Sequence, residues 1–200
     1  MIKILALDLS YVALGLAHTH QLDGPAVGVR TITPGARRGD ERMDYLIGEV
    51  REQFRWQPQL CVKEGLFVGQ VNNTLQLAKL HGVIERELWL HEIVYVDVAP
   101  GTLKVYANGD GKADKAAVLH AIRGRYADAL GGPSRIRTND DADAVTLLAM
   151  ARHAYGQPLA PVPAECARAL RSVQWPILGG STSPVALDFA SIAPPTGALL

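Results

Sequence analysis

Apolar residues between Lys3 and Leu7 follow one another as a strand would, helped by the β-favouring Ile2 and Ile4, and the run stops at Asp8-Leu9-Ser10. Leu14 to Thr19 and Val27 to Thr33 read as two further strands, and His20 to Pro25 between them has the composition of a turn. Three strands linked in this way predict an antiparallel meander. From Asp40 to Phe54 the residues Met43, Leu46, Ile47 and Val50 recur at helical spacing, with Pro58 closing the segment. Leu60-Cys61-Val62, bounded by Pro58 and Gly65, reads as a short buried strand ending at Lys63-Glu64. Leu75, Leu77, Ala78, Leu80, Val83, Ile84 and Leu88 then mark a long amphipathic helix from Thr74 to Leu90, followed by a strand from Ile93 to Val98. A helix from Asp114 to Tyr126 passes through Ala117, Val118, Ala121 and Ile122. The last helix opens at Thr138-Asn139-Asp140-Asp141, where Thr138 caps the first turn and Asp141 reaches back, and it runs to Tyr155. The order predicts an α/β domain.

Beyond Gly156 the chain becomes rich in Pro, Ala, Ser and Gly. The expected organisation is therefore a single domain over residues 1–155 and a mostly disordered C-terminal tail over 156–200. Trp175-Pro176-Ile177-Leu178 is the apolar knot of that tail, read either as packing on the domain or as a short partner-binding peptide. A length of 200 residues, 48% hydrophobic and 20% charged, suffices for one substantial core. No uninterrupted apolar run of about 18 residues occurs, and MIKILALDLS lacks a signal peptide's features, so a soluble cytoplasmic protein without membrane association is expected. Cys61 and Cys166 stand outside any disulfide or zinc-binding spacing.

Twenty basic and twenty acidic residues balance, which argues against a protein that coats nucleic acid by bulk charge. A local patch is available instead in Lys104, Lys112, Lys115, Arg123, Arg125, Arg135 and Arg137, although the same residues would also make an ordinary solvated surface. Among the acids, Asp8 and Glu64 each end a strand, and Asp140 and Asp143 open a helix three residues apart, on one face. If the first and fourth strands lie side by side, all four meet in one cleft. Four carboxylates so placed repel one another and call for cations, and oxygen-only ligands select hard ions such as Mg²⁺. Two such ions about 4 Å apart serve in-line hydrolysis of a phosphodiester. Each acid also has a plainer reading: Asp8 as a turn residue, Asp140 and Asp141 as partners of the positive helix end.

Three stretches carry a resemblance. ILALDLSYVALGLA resembles the opening hairpin of the RuvC-type Holliday-junction resolvases, VKEGLFVGQVNNTLQLAKLHGV their second acidic strand and following helix, and NDDADAVTLLAMARH their closing acidic helix. The likeness spans about residues 2 to 155 and implies an RNase H-like fold, a mixed five-stranded sheet flanked by helices. It places Asp8, Glu64, Asp140 and Asp143 at the catalytic, metal-ligand positions, with two Mg²⁺ ions per site and Mn²⁺ able to substitute. VYVDVAPGTLKVYANGDGKADKAAV is similar to the family's Lys-bearing strand and loop, so Lys104 and Lys115 take the place of its DNA-contacting lysines, with Lys112 beside them. Phe67 matches an aromatic that stacks on unpaired bases at the junction. Leu9-Ser10 departs from the Pro-Gly that usually follows the first Asp, Asp141 is an extra acid, and the region from 156 lies outside the likeness.

The resemblance implies a metal-dependent endonuclease that nicks branched DNA, most simply as a homodimer matching a two-fold junction. The Thr74 to Leu90 helix is the candidate dimer face. Alternatives are a nuclease for flaps, forks and replication branches, a non-catalytic branch-binding protein, and an RNA–DNA hybrid nuclease or nucleotide-binding relative. For the last of these, no Gly-rich phosphate loop or hybrid-binding motif stands out.

Overall fold

A computed structural model of the chain describes residues 2–19, 27–66 and 71–178, with 71–74 described by their backbone alone. Three strands, β1 (Ile4–Asp8), β2 (Leu14–His18) and β3 (Gly28–Ile32), form the antiparallel meander. On the other side of β1, β4 (Leu60–Glu64) pairs in parallel, and β5 (Val94–Val98) pairs in parallel with β4. The strand order is β3-β2-β1-β4-β5. This is the mixed five-stranded sheet that the family resemblance implied.

Helices cover both faces. Leu5, Leu7, Leu14, Leu16 and Cys61 pack with residues of α1 (Gly39–Phe54) and α2 (Val71–Leu90). Ile4, Ala6, Ala17 and Val62 pack with α3 (Pro100–Asn108), α4 (Lys115–Leu130) and α5 (Asn139–Ala154). Since successive strand residues point to opposite faces, Asp8 and Glu64 belong to the α5 side and Lys63 to the α2 side. β1 is buried throughout because both of its faces are covered, which is why it reads as an almost continuous apolar run. No described helix is long and apolar enough to cross a membrane.

Two expectations are corrected. The stretch after β5, expected as a loop, contains α3, which begins with Pro100 at its first position and ends at Gly109 with φ 81°. Pro pre-sets the helical φ, and Gly accepts the left-handed cap, so nine residues suffice. The second correction concerns the tail. Residues 156–178, expected to be mostly disordered, instead carry α6 (Ala164–Ala167) and a 3-10 turn, Arg168–Ser172, laid against α3. Cys166, Ala169, Leu170 and Leu178 are buried there, and the Trp175 indole N–H donates to the Leu170 carbonyl at 3.1 Å. Pro lowers the helical content of this segment, but its spaced apolar residues still find the flank of α3. The predicted turn at His20 to Pro25, Phe67 and the chain from 179 lie outside the described residues.

Candidate active site

Parallel pairing of β1 with β4 aligns Leu7 with Lys63, so the next residues, Asp8 and Glu64, stand at the same level at the carboxyl ends of adjacent strands. The first turn of α5 is laid directly over them. Gly15, opposite Asp8 on β2, makes this possible: a Cβ there would come within 2.9 Å of the Asp140 carbonyl carbon and 3.1 Å of the Asp8 Cβ. Only a residue without a side chain lets the helix backbone approach the sheet so closely.

The start of α5 is held by the expected capping box. The Asp141 N–H donates to Thr138 Oγ1 at 3.0 Å, and the Asp141 carboxylate accepts from the N–H groups of Thr138 at 3.1 Å and Arg137 at 2.8 Å. The Thr31 hydroxyl of β3 adds a third donor at 2.7 Å, and Asp141 is wholly buried. Asp141 therefore ties the helix to the sheet, while Asp140 and Asp143 line the cleft beside it.

A cavity of about 640 Å³ gathers Asp8, Glu64, Asp140 and Asp143 with Lys104 of α3 and Lys115 of α4. The four sequence-predicted acids thus share one cleft. Burial pushes the Asp8 carboxyl well above its ordinary value, and the Glu64 charge, the Asp143 charge and a hydrogen bond with Glu64 push the same way. Asp143 is pushed up to about 7, first by burial and then by Glu64, with Lys115 and Lys104 opposing. Asp140 is raised by burial and drawn back by Lys115. Negative charge in this cleft is under-compensated by two lysines.

Among the described residues no three His, Cys, Asp or Glu side chains converge tightly enough to chelate an ion as they stand. Burial and the neighbouring carboxylates instead favour the neutral form of the Asp8 carboxyl while no cation is bound. The donor set nevertheless suits a hard divalent cation, being oxygen-only, multiply anionic and partly desolvated.

Of the other predicted residues, Lys112 is exposed on the loop between α3 and α4, its N–H bonded to the Asp110 carboxylate at 2.9 Å, and it is not among the residues lining the cleft. Arg123 donates to the carbonyls of Ile136 at 2.6 Å and Arg137 at 2.9 Å, and Arg125 to that of Tyr106 at 3.0 Å. These two arginines hold backbone together rather than extend a free basic patch. Gly15 was not singled out by the sequence reading, and Ser10, which lines the cleft, was noted only as a departure from the family's Pro-Gly. An isolated Gly inside a strand was the available signal for the first.

No family model matches the chain. The crossover junction endodeoxyribonuclease RuvC of Parasynechococcus marenigrum (strain WH8102) is 30% identical over 153 residues, covering 72% of this chain and 94% of the relative. That of Synechococcus sp. (strain CC9605) is 31% identical over 118 residues, covering 58% and 75%. Among solved structures, Thermus thermophilus RuvC in complex with Holliday junction substrate aligns with a TM-score of 0.58 at 19% identity, over 74% of this chain and 90% of that one. The Thermus thermophilus RuvC structure gives a TM-score of 0.56 at 19% identity, over 73% and 90%. The sheet order and these alignments identify the fold as RNase H-like.

Proposed function

The chain belongs to the RuvC family of crossover junction endodeoxyribonucleases, and from that premise we propose that it resolves four-way DNA junctions by phosphodiester hydrolysis in the cleft between β1, β4 and α5. The observation that carries this reading is the gathering of Asp8, Glu64, Asp140 and Asp143, from three separate stretches of chain, in one cavity with Lys104 and Lys115. Asp8, Glu64, Asp140 and Asp143 would hold two divalent cations, Mg²⁺ with Mn²⁺ able to substitute, which supply activation of water and stabilisation of the leaving 3′ oxygen.

The chain's own side chains do the remaining work. Asp8 is largely desolvated, and a cation bound in the cleft would favour its ionised form, so that all four carboxylates would be available as ligands together. Lys104 and Lys115 seat the scissile phosphate against the carboxylates and offset its charge, fixing register without reading sequence. Exposed Lys112 contacts a phosphate outside the cleft. Phe67 stacks on unpaired bases at the branch point, the role that the family resemblance assigns to it. The working form is a cytoplasmic homodimer, which nicks two strands of like polarity symmetrically.

The test is a parallel digestion. Purified protein with Mg²⁺ receives labelled four-way junction, flap, fork and linear duplex. Paired nicks in the junction are expected, with Asp8→Asn abolishing cleavage while gel-shift binding of the junction persists. Undiminished cleavage by that variant would sink the site assignment, and preferential cutting of flaps or forks would move the substrate.

A further inference from the structure

Beside the main cleft, Leu9, Glu64, Gly65, Leu77, His81 and Pro100 enclose a cavity of about 130 Å³. Glu64 and His81 are the only polar side chains on its wall, so Glu64 stands between the large cleft and this small one. The space is roomy enough to hold water, and Glu64 and His81 offer it two polar partners on an otherwise apolar wall. His81 itself lies on α2, 4% exposed, one helical turn after Leu77.

The opposite side of the imidazole is fixed. Lys63, the residue before Glu64, points to the α2 face and is 1% exposed. Its ammonium donates to Glu85 of α2 at 2.8 Å and to Asp97 of β5, and it approaches His81 Nδ1 at 3.4 Å. These carboxylates hold Lys63 charged, raising its pKa against the opposing effect of burial. An ammonium has no lone pair to offer, so in this contact Nδ1 must accept. The ring proton then sits on Nε2. Burial and the Lys63 charge push the His81 pKa down to about 4, which keeps the ring neutral at neutral pH.

We infer that His81 is a positioning residue for Glu64, its Nε2–H donating across the small cavity through water to the Glu64 carboxylate, with Lys63 setting the tautomer. The inference rests on the reading of Glu64 as a cation ligand. A carboxylate at the end of a strand has free side-chain torsions, and a donor behind it selects the rotamer that faces the cleft. Outer partners of this kind change metal affinity by about 10- to 100-fold when removed. Lys63 adds rigidity by joining β4, β5 and α2 at the level of Glu64.

Mn²⁺ binding to the DNA-free protein, followed by calorimetry or electron paramagnetic resonance, tests this without reference to cleavage. His81→Leu is expected to weaken Mn²⁺ binding at least about tenfold. His81→Gln, which keeps a side-chain N–H, should retain most of the affinity. In wild-type protein, ¹⁵N NMR should find the His81 proton on Nε2 at neutral pH. Wild-type affinity in His81→Leu, an equal loss in His81→Gln, or a proton on Nδ1 would each overturn the inference; the last result needs no variant to fold. Glu64→Gln measured in parallel separates the two levels. Undisturbed binding in that variant removes Glu64 from the site, whereas loss there with none in His81→Leu removes only the role of His81.

Discussion

Gly15 and Asp143 show how single residues set the conditions of the cleft. At Gly15 the missing side chain is what brings the α5 backbone down onto Asp8. Gly15→Ala would force α5 to lift, since the two nearest atoms are the Asp140 backbone carbonyl and cannot rotate away. Overpacking of this kind costs about 1–3 kcal/mol, and the same displacement separates Asp140 from Asp8. The expected result is a lower urea midpoint together with loss of nicking, and wild-type nicking would refute the close-approach argument. Asp143 acts through charge. Its folded-state value of about 7 exceeds the ordinary 3.8, so the fold holds that proton more tightly than the unfolded chain. The resulting stability is complete below the ordinary value and disappears as pH rises through about 7. In EDTA, Asp143→Asn should therefore melt above wild type at about pH 8, with the gap closing towards about pH 5. A gap independent of pH would remove the titration of Asp143 from the account.

At the scale of elements, α3 and the segment that follows α5 depend on each other. α3 presents Lys104 and Leu103 to the cleft, and its far flank receives α6 and the Arg168–Ser172 turn. Arg168 donates to the Gly109 carbonyl at 3.1 Å and the Tyr155 hydroxyl to that of Pro176 at 2.6 Å. Tyr155 and Trp175 meet edge to face. The buried core is thus continuous from the sheet through α3 to Leu178. Leu170→Ala should lower the unfolding free energy by about 2–5 kcal/mol, the usual cost of truncating a buried leucine. Chemical denaturation measures this, and a change within error would mean that the segment is only loosely laid on the domain. The corrected reading has a simple cause. Composition reports average polarity, whereas packing is decided by the few apolar side chains that reach a neighbour.

On the scale of the whole molecule, the sheet sits between the α1–α2 layer and the α3–α5 layer, with the cleft on the second side. α2 still exposes Leu75, Trp89 and Leu90. Leu75 and Trp89 lie two heptads apart and so share a helix face, which suits the proposed pairing of two copies. Trp89→Glu should shift sedimentation towards monomer while each chain keeps its fold by circular dichroism. An unchanged dimer would place the interface elsewhere, and a monomeric wild type would remove the proposal of paired nicking by a two-fold enzyme.

The sequence by itself determined the kind of each main strand and helix, the acids at the ends of β1 and β4, and the capping box that starts α5. These are local properties, written in hydrophobic spacing and in the side chains at element ends. Resemblance strengthened the expectation, drawn from their places at strand ends and on one helix face, that the four acids belong together. Tertiary structure alone decided that β1 lies beside β4, that Gly15 admits α5, and that Asp141 faces the sheet while Asp140 and Asp143 line the cleft. It also separated Lys104 and Lys115 in the cleft from Lys112 outside, and placed neutral His81 behind Glu64. Spacing along the chain states which face of an element is buried. It does not state against what, because strand pairing and layer packing join residues whose proximity exists only once the chain has closed on itself.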